Sequence, residues 1–239
     1  MTLAGKKIVI IGGSSGIGLE TAALALEQGA EVVIASRSAD KLRQARNTLG
    51  SSVSAYELDM ADEQAVKEFM TRDVKRLDHL VVTAAQTWSG PFLATETAKA
   101  RQLFDSKFWG QYHAAKYAAP LLAEGGSITL FSGVVAFKPM AGSASLGAVN
   151  AAVASLGQTL ALELAPLRVN VVSPGIIDTP SRAGMDDAAR SAFYESVATR
   201  LPAKRVGRSR DVAESVLYLL HNSFVTGTVL HVEGGHLLT

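Results

Sequence analysis

The chain has 239 residues, 48% of them hydrophobic, and its 23 basic and 22 acidic residues leave a net charge of +1. Such a length suits one large α/β domain with a covered core, and balanced charge gives no basic face for nucleic acid. The absence of cysteine excludes disulfides, thiolate catalysis and zinc–thiolate sites, and fits a soluble protein of the reducing cytoplasm.

The first strand, 7–11 (KIVII), runs straight into the turn GGSSGIG and a helical stretch over 17–28. Gly12, Gly16 and Gly18 allow backbone to approach a pyrophosphate, and the helix start supplies free N–H groups and a positive dipole end. Ser14, Ser15 and Ile17 complete this turn, and the two serines can add hydroxyl contacts. A strand followed by a glycine turn and a helix is the order that a dinucleotide site requires.

The second strand, 31–35, ends at Ser36 and Arg37. A carboxylate at this point would accept bonds from the adenosine ribose and repel a 2′-phosphate. Arg37 offers a fork of donors suited to phosphate, so the pattern predicts NADP(H) over NAD(H). Further strands are predicted at 53–57, 79–83, 126–131, 168–173 and 228–232. Helices are predicted near 39–48, 62–72, 97–122, 143–164 and 209–221, with Asp62 and Ser209 to Asp211 as starts. Apolar strands alternating with helices imply one Rossmann-type domain over 1–239, a doubly wound parallel sheet of about seven strands with helices on both faces. The segment 180–207, with two prolines and little periodicity, is expected to form a mobile cover over the substrate crevice. The five histidines show no metal-ligand spacing, so no metal is expected. The apolar run after the N-terminus stops at Gly12, too short for a signal segment. No apolar stretch approaches about 18 residues, so no membrane span is expected.

GGSSGIG, Asp59-Met60 after the third strand, RVNVVSPGIIDTP and the final VTGTVLHVEGG together resemble the short-chain dehydrogenase/reductase family. The resemblance runs through the whole chain and implies homodimers or homotetramers. It places Gly12, Ser14, Ser15, Gly16, Ile17 and Gly18 at the phosphates and adenosine ribose, Arg37 at the 2′-phosphate, and Asp59 and Met60 beside the adenine. Pro174, Gly175, Ile177 and Thr179 would hold the nicotinamide end. Ala84 and Ala85 stand where the family has a small-residue stretch near a ribose, with Gln86 in place of a glycine.

The family's chemistry uses a tyrosine and a lysine four residues apart on one helix, a preceding serine and an upstream asparagine. Matching NAAVASLGQTLALELAP places Leu146 at the tyrosine position and Asn150 at the lysine position. Gly133 falls at the serine position, with Ser132 beside it, and Lys107 at the asparagine position. All four groups are replaced. Tyr112 and Lys116 satisfy the tyrosine–lysine spacing, but lie in the helix before GSITLF, where the family builds a subunit interface. Lys107 is the candidate proton donor, because a partly buried ammonium has a lowered pKa. Three functions follow as alternatives. One is a slow reductase of a carbonyl or quinone-like molecule. Another is a non-catalytic NADP(H) sensor or regulatory subunit. The third is a silent subunit paired with an active homologue.

Overall fold

The structure is a computed structural model and describes residues 2–84, 87–182 and 184–239. Ala85 and Gln86 lie outside the described residues. Seven parallel strands form the main sheet in the order β3-β2-β1-β4-β5-β6-β9. They are β1 Lys7–Ile11, β2 Glu31–Ser36, β3 Ser54–Glu57, β4 Leu77–Val82, β5 Leu122–Phe131, β6 Arg168–Pro174 and β9 Val229–Val232. All seven expected strands are present, β5 starting four residues early. A two-stranded ribbon, β7 Ile177–Asp178 with β8 Gly207–Arg208, was not foreseen, being too short to show periodicity.

Alternation along each strand explains the unbroken apolar runs. Ile8 and Ile10 join one cluster with helices α1 Gly16–Glu27 and α8 Ser209–His221. Val9 and Ile11 join a second cluster on the other face, with α3 Glu63–Glu68, α5 Gly110–Ala118 and α6 Ala144–Glu163. Strands covered on both faces need no polar side. Each buried aliphatic side chain contributes about 1.5–3 kcal/mol.

Helix starts follow their caps. Asp62 accepts from Ala65 N at 3.0 Å at the start of α3, and Ser38 accepts from Lys41 N at 3.3 Å before α2 Ala39–Leu49. The Asp211 carboxylate accepts from Arg208 N at the start of α8. Two long helices are not uniform. The first passes from α3 into a π-helical turn, Phe69–Val74. The second divides into α4 Thr97–Leu103, a π-helical turn Phe104–Trp109, and α5.

Two features go beyond the expectations. The segment 180–207 contains a 14-residue helix, α7 Asp187–Arg200, capped by Asp186 accepting from Ala189 N. Only Val197 of α7 is buried, so its sequence carries almost no apolar period. Second, α6 is long and apolar enough to cross a membrane by length and composition. Its alanines, leucines and valines raise mean hydropathy, but serines, glycines, Asn150 and Gln158 break up the apolar run. Here α6 packs against β6, burying Val149, Val153, Ala154, Gly157 and Ala161.

The far end of the sheet is fixed by Arg168 at the start of β6. Its guanidinium donates to Leu219 O at 2.7 Å, Leu220 O at 3.1 Å and Val225 O at 3.1 Å, joining the end of α8 to the sheet. The loop after β5 is held from two sides. Gly90 N donates to Gly142 O at 2.8 Å, and Lys138 Nζ donates to His236 O at 2.7 Å.

Candidate active site

Strand order reverses between β1 and β4, which leaves a crevice at their carboxyl ends. The glycine turn fills one side of it. Gly12 has φ +97°, and a Cβ there would lie 2.5 Å from Thr83 Oγ1. A Cβ on Gly18 would overlap the Gly12 carbonyl. These two positions require glycine for close packing of turn, helix and β4. Gly16 differs: its φ is +53°, and its open face looks toward Thr179 and Pro180, at 3.6 Å and 3.7 Å from an added Cβ. The structure thus sets the glycine turn opposite the stretch after β6.

Helix α1 begins after Ser15 with no side-chain cap and no acidic residue in its first turn, so its amides are open to an anion. Ser14, Ser15 and Ile17 are half-buried beside them. At the end of β2, Ser36 Oγ is buried without a partner among the described residues. Arg37 next to it is exposed and makes no salt bridge among the described residues. Asp59 is exposed, with Oδ1 accepting from Ala61 N at 3.0 Å. Met60 is buried, its side chain packed on Gly110. Thr83 N and Ala84 N both donate to Ile11 O, at 2.9 Å and 3.1 Å, so β4 bends toward β1 as it ends.

Beyond β6, Gly175 N donates to Val232 O at 3.0 Å, and Ile177 is buried with its carbonyl accepting from Arg182. Pro174 is half-buried, and Thr179 Oγ1 lies 2.7 Å from Ser181 Oγ. Ser173 Oγ and Asn150 Oδ1 are buried without partners among the described residues. An uncapped helix start and orphaned polar atoms at the ends of β2 and β6 fit a dinucleotide laid across these strand ends.

Three of the four positions matched to the family's catalytic residues lie together. Lys107 is only 4% exposed, and its Nζ donates to Ser132 O at 2.9 Å. Burial alone pulls its pKa from 10.5 down to about 8. Ser132 Oγ donates to Asn150 O at 2.8 Å. Gly133 leaves room for the Asn150 amide, since an added Cβ would lie 2.7 Å from Asn150 Nδ2. Leu146 is half-buried on the first turns of α6. Tyr112 and Lys116 are not part of this group, as Lys116 Nζ pairs with Glu63 Oε1 at 2.9 Å against α3.

Sequence reasoning missed Gln111. It is fully buried, and its amide bonds to Lys107 O and to both backbone groups of Phe131. The only signal was its place four residues after Lys107, one helical turn on.

Residues 12–236 match the family model described as enoyl-(acyl carrier protein) reductase. The chain is 33% identical to the short-chain dehydrogenase/reductase ATR9 of Stachybotrys chlorohalonatus, over 99% of each chain. It is 31% identical to the 3-oxoacyl-[acyl-carrier-protein] reductase FabG of Thermotoga maritima, over 98% of this chain and 99% of that one. A small-chain dehydrogenase solved in complex with NADPH superposes with a TM-score of 0.87 at 37% identity, over 98% of this chain and all of that one. With the seven-stranded sheet and the glycine turn at its switch point, these full-length matches establish that the chain belongs to the short-chain dehydrogenase/reductase family.

Proposed function

We propose that the chain is an NADP(H)-dependent reductase of a carbonyl or quinone-like small molecule, working slowly because the family's four catalytic side chains are replaced. Gly12, Ser14, Ser15, Gly16, Ile17 and Gly18 bind the phosphates and ribose. Ser36 and Arg37 take the 2′-phosphate, and Asp59 and Met60 flank the adenine. Ala84 and Ala85 border the ribose, while Pro174, Gly175, Ile177 and Thr179 hold the nicotinamide end. Neighbours crystallised with NADPH or NADP support this cofactor.

The observation that carries the reading is the buried Lys107 ammonium at the end of β5. When bound, NADPH supplies the hydride. Lys107 holds a proton for the oxygen that becomes negative, gives it up as a neutral amine, and regains one from water. A pKa of about 8 leaves the group largely charged at neutrality and able to release its proton. Positioned proton transfer is typically worth about 10²–10⁴-fold, so an imperfect donor slows turnover without abolishing it. Leu146 gives the reacting oxygen no proton and presents an apolar wall instead.

The segment 180–207, with α7, serves as the substrate cover. Trp109 and Tyr112, 45% and 37% exposed on one face of the second long helix, support assembly into a homodimer or homotetramer. We place the protein in the cytoplasm, in line with its lack of cysteine.

One observation favours a second reading, a non-catalytic NADP(H) sensor. Lys107 Nζ already has an acceptor in Ser132 O. The test is NADPH consumption with activated aldehydes, diketones and quinones, comparing the native chain with Lys107→Met. A loss of about 10²-fold or more in the variant is expected. Tight NADPH binding with no turnover across the panel selects the sensor.

A further inference from the structure

We propose that Gln111 is the positioning residue that fixes Lys107 at the end of β5, a role that rests on reading Lys107 as the proton donor. The geometry starts from the sheet. Strand β5 pairs with β4 only as far as Val81 opposite Thr129, while its β6 side continues to Phe131 opposite Val172. Beyond Thr129, β4 has turned away to bond Ile11 O through Thr83 and Ala84. The next rung on that side is Phe131, and its N–H and C=O have lost their strand partner. A buried backbone pair left bare is costly.

Gln111 replaces the missing strand. Its Oε1 accepts from Phe131 N at 2.7 Å, and its Nε2 donates to Phe131 O at 3.0 Å. The same Nε2 donates to Lys107 O at 3.0 Å. One residue further along, Ser132 O accepts from Lys107 Nζ at 2.9 Å. The π-helical turn and the start of α5 are therefore sewn to the end of β5 at two successive residues, Phe131 by Gln111 and Ser132, just past the strand, by Lys107. The bonds close a ring in which both the carbonyl and the ammonium of Lys107 are held.

This arrangement explains how a lysine stays buried with no carboxylate beside it. No charged group contributes to its lowered pKa; burial is the only cause. Asp105 on the same turn is exposed, and the facing residues, just past β5 and on α6, are Ser132 and Asn150. A lysine on a flexible stem would otherwise extend its ammonium to water. Gln111 holds down the backbone from which that stem grows.

The test is titration of the Lys107 amine in the full chain, by NMR of protein labelled with ¹⁵N at lysine Nζ. The Lys107 signal is identified by its loss in Lys107→Met. In Gln111→Met, the midpoint is expected to rise by about one unit or more as the amine reaches water. The alkaline limb of NADPH oxidation should move with it, and NADPH affinity should stay within about two-fold, because Gln111 bonds Lys107 and Phe131 and none of the residues assigned to the cofactor. A folded Gln111→Met in which Lys107 titrates as in the native chain overturns the proposal. If that variant does not fold, Gln111→Asn is used. It adds no charge beside Lys107 and shortens the amide's reach to Phe131 and Lys107 O, and the same rise is required of it. Native turnover in Lys107→Met overturns the proton-donor reading itself, and is seen separately from the titration.

Discussion

Gly133 and Asn150 share one space: a Cβ on Gly133 would lie 2.7 Å from Asn150 Nδ2. The residues matched to the family's serine and lysine positions are therefore coupled by packing. Gly133→Ser should destabilise the protein by about 1–3 kcal/mol through overpacking. In an Asn150→Ala background, the same change should cost much less, since the amide is gone. Urea unfolding of the four proteins of this cycle checks the coupling, and equal costs in both backgrounds would show that the residues are independent. Gly133→Ser alone should also fail to raise turnover, because Leu146 still has no proton to give.

Lys107 makes stability depend on pH. Its pKa is depressed from 10.5 to about 8 in the folded chain, so the unfolded chain binds more protons between those values. Stability should rise as pH climbs from 8 toward 10.5, by up to about 3 kcal/mol from this group. Below pH 8 the cost of burying the charge is fully present. Lys107→Met should remove that rise, leaving a flatter curve that matches the native chain best at high pH. Urea midpoints of both proteins between pH 7 and 10 measure the difference. Parallel curves would mean that the ammonium is not buried in solution.

Catalysis should run the opposite way. If the Lys107 ammonium donates the proton, turnover falls as pH rises through about 8, just where stability begins to grow. Rate profiles taken at saturating NADPH and a quinone or diketone test this. A flat profile through that range would remove Lys107 from the reaction.

Arg37 should decide between the two nicotinamide cofactors. Arg37→Asp is expected to weaken NADPH binding by about 10- to 100-fold, the worth of charge-assisted bonds to phosphate. NADH binding should change little or improve. Fluorescence titration with both cofactors reads the ratio, and equal losses would place the 2′-phosphate elsewhere.

At the start of α8, Asp211 ties the end of the 180–207 segment to the domain. Its oxygens accept from Arg205 at 2.6 Å and 2.7 Å and from Arg208 N at 2.7 Å. The Arg205 guanidinium, more than the Arg208 amide, holds its pKa at about 2, against 3.8 ordinarily. A depressed carboxylate contributes above the ordinary value, and that contribution is lost as pH falls through about 2. Partial exposure screens the pair, so Asp211→Asn should cost about 1 kcal/mol at neutrality. Thermal unfolding should show the gap closing between pH 4 and 2, and a gap constant with pH would count against the ion pair.

The sheet was legible because strands covered on both faces are written as apolar runs, and Ile8 to Ile11 carry no polar side. The cofactor crevice was legible because Gly12 and Gly18 stand where any side chain would collide. Helix α7 was not, since Val197 is its sole buried residue. The placement of Lys107 was also hidden. In an even helix the string FDSKFW gives no reason to turn a lysine inward. That follows from a widened turn and from Gln111, whose partner Phe131 is twenty residues away along the chain. Short-range patterns record which face of an element is apolar, but not where a neighbouring strand runs out.

The contact from Lys138 to the His236 carbonyl bears on when the protein becomes competent during its synthesis. The loop that carries Gly133 leaves the ribosome long before residue 236 exists. At about 5–20 residues per second, several seconds separate the two events. During that interval the loop after β5 lacks one of its two supports, and α1 lacks α8, its partner in the core. Both ends of the crevice are therefore completed only once the chain from α8 onward has been made.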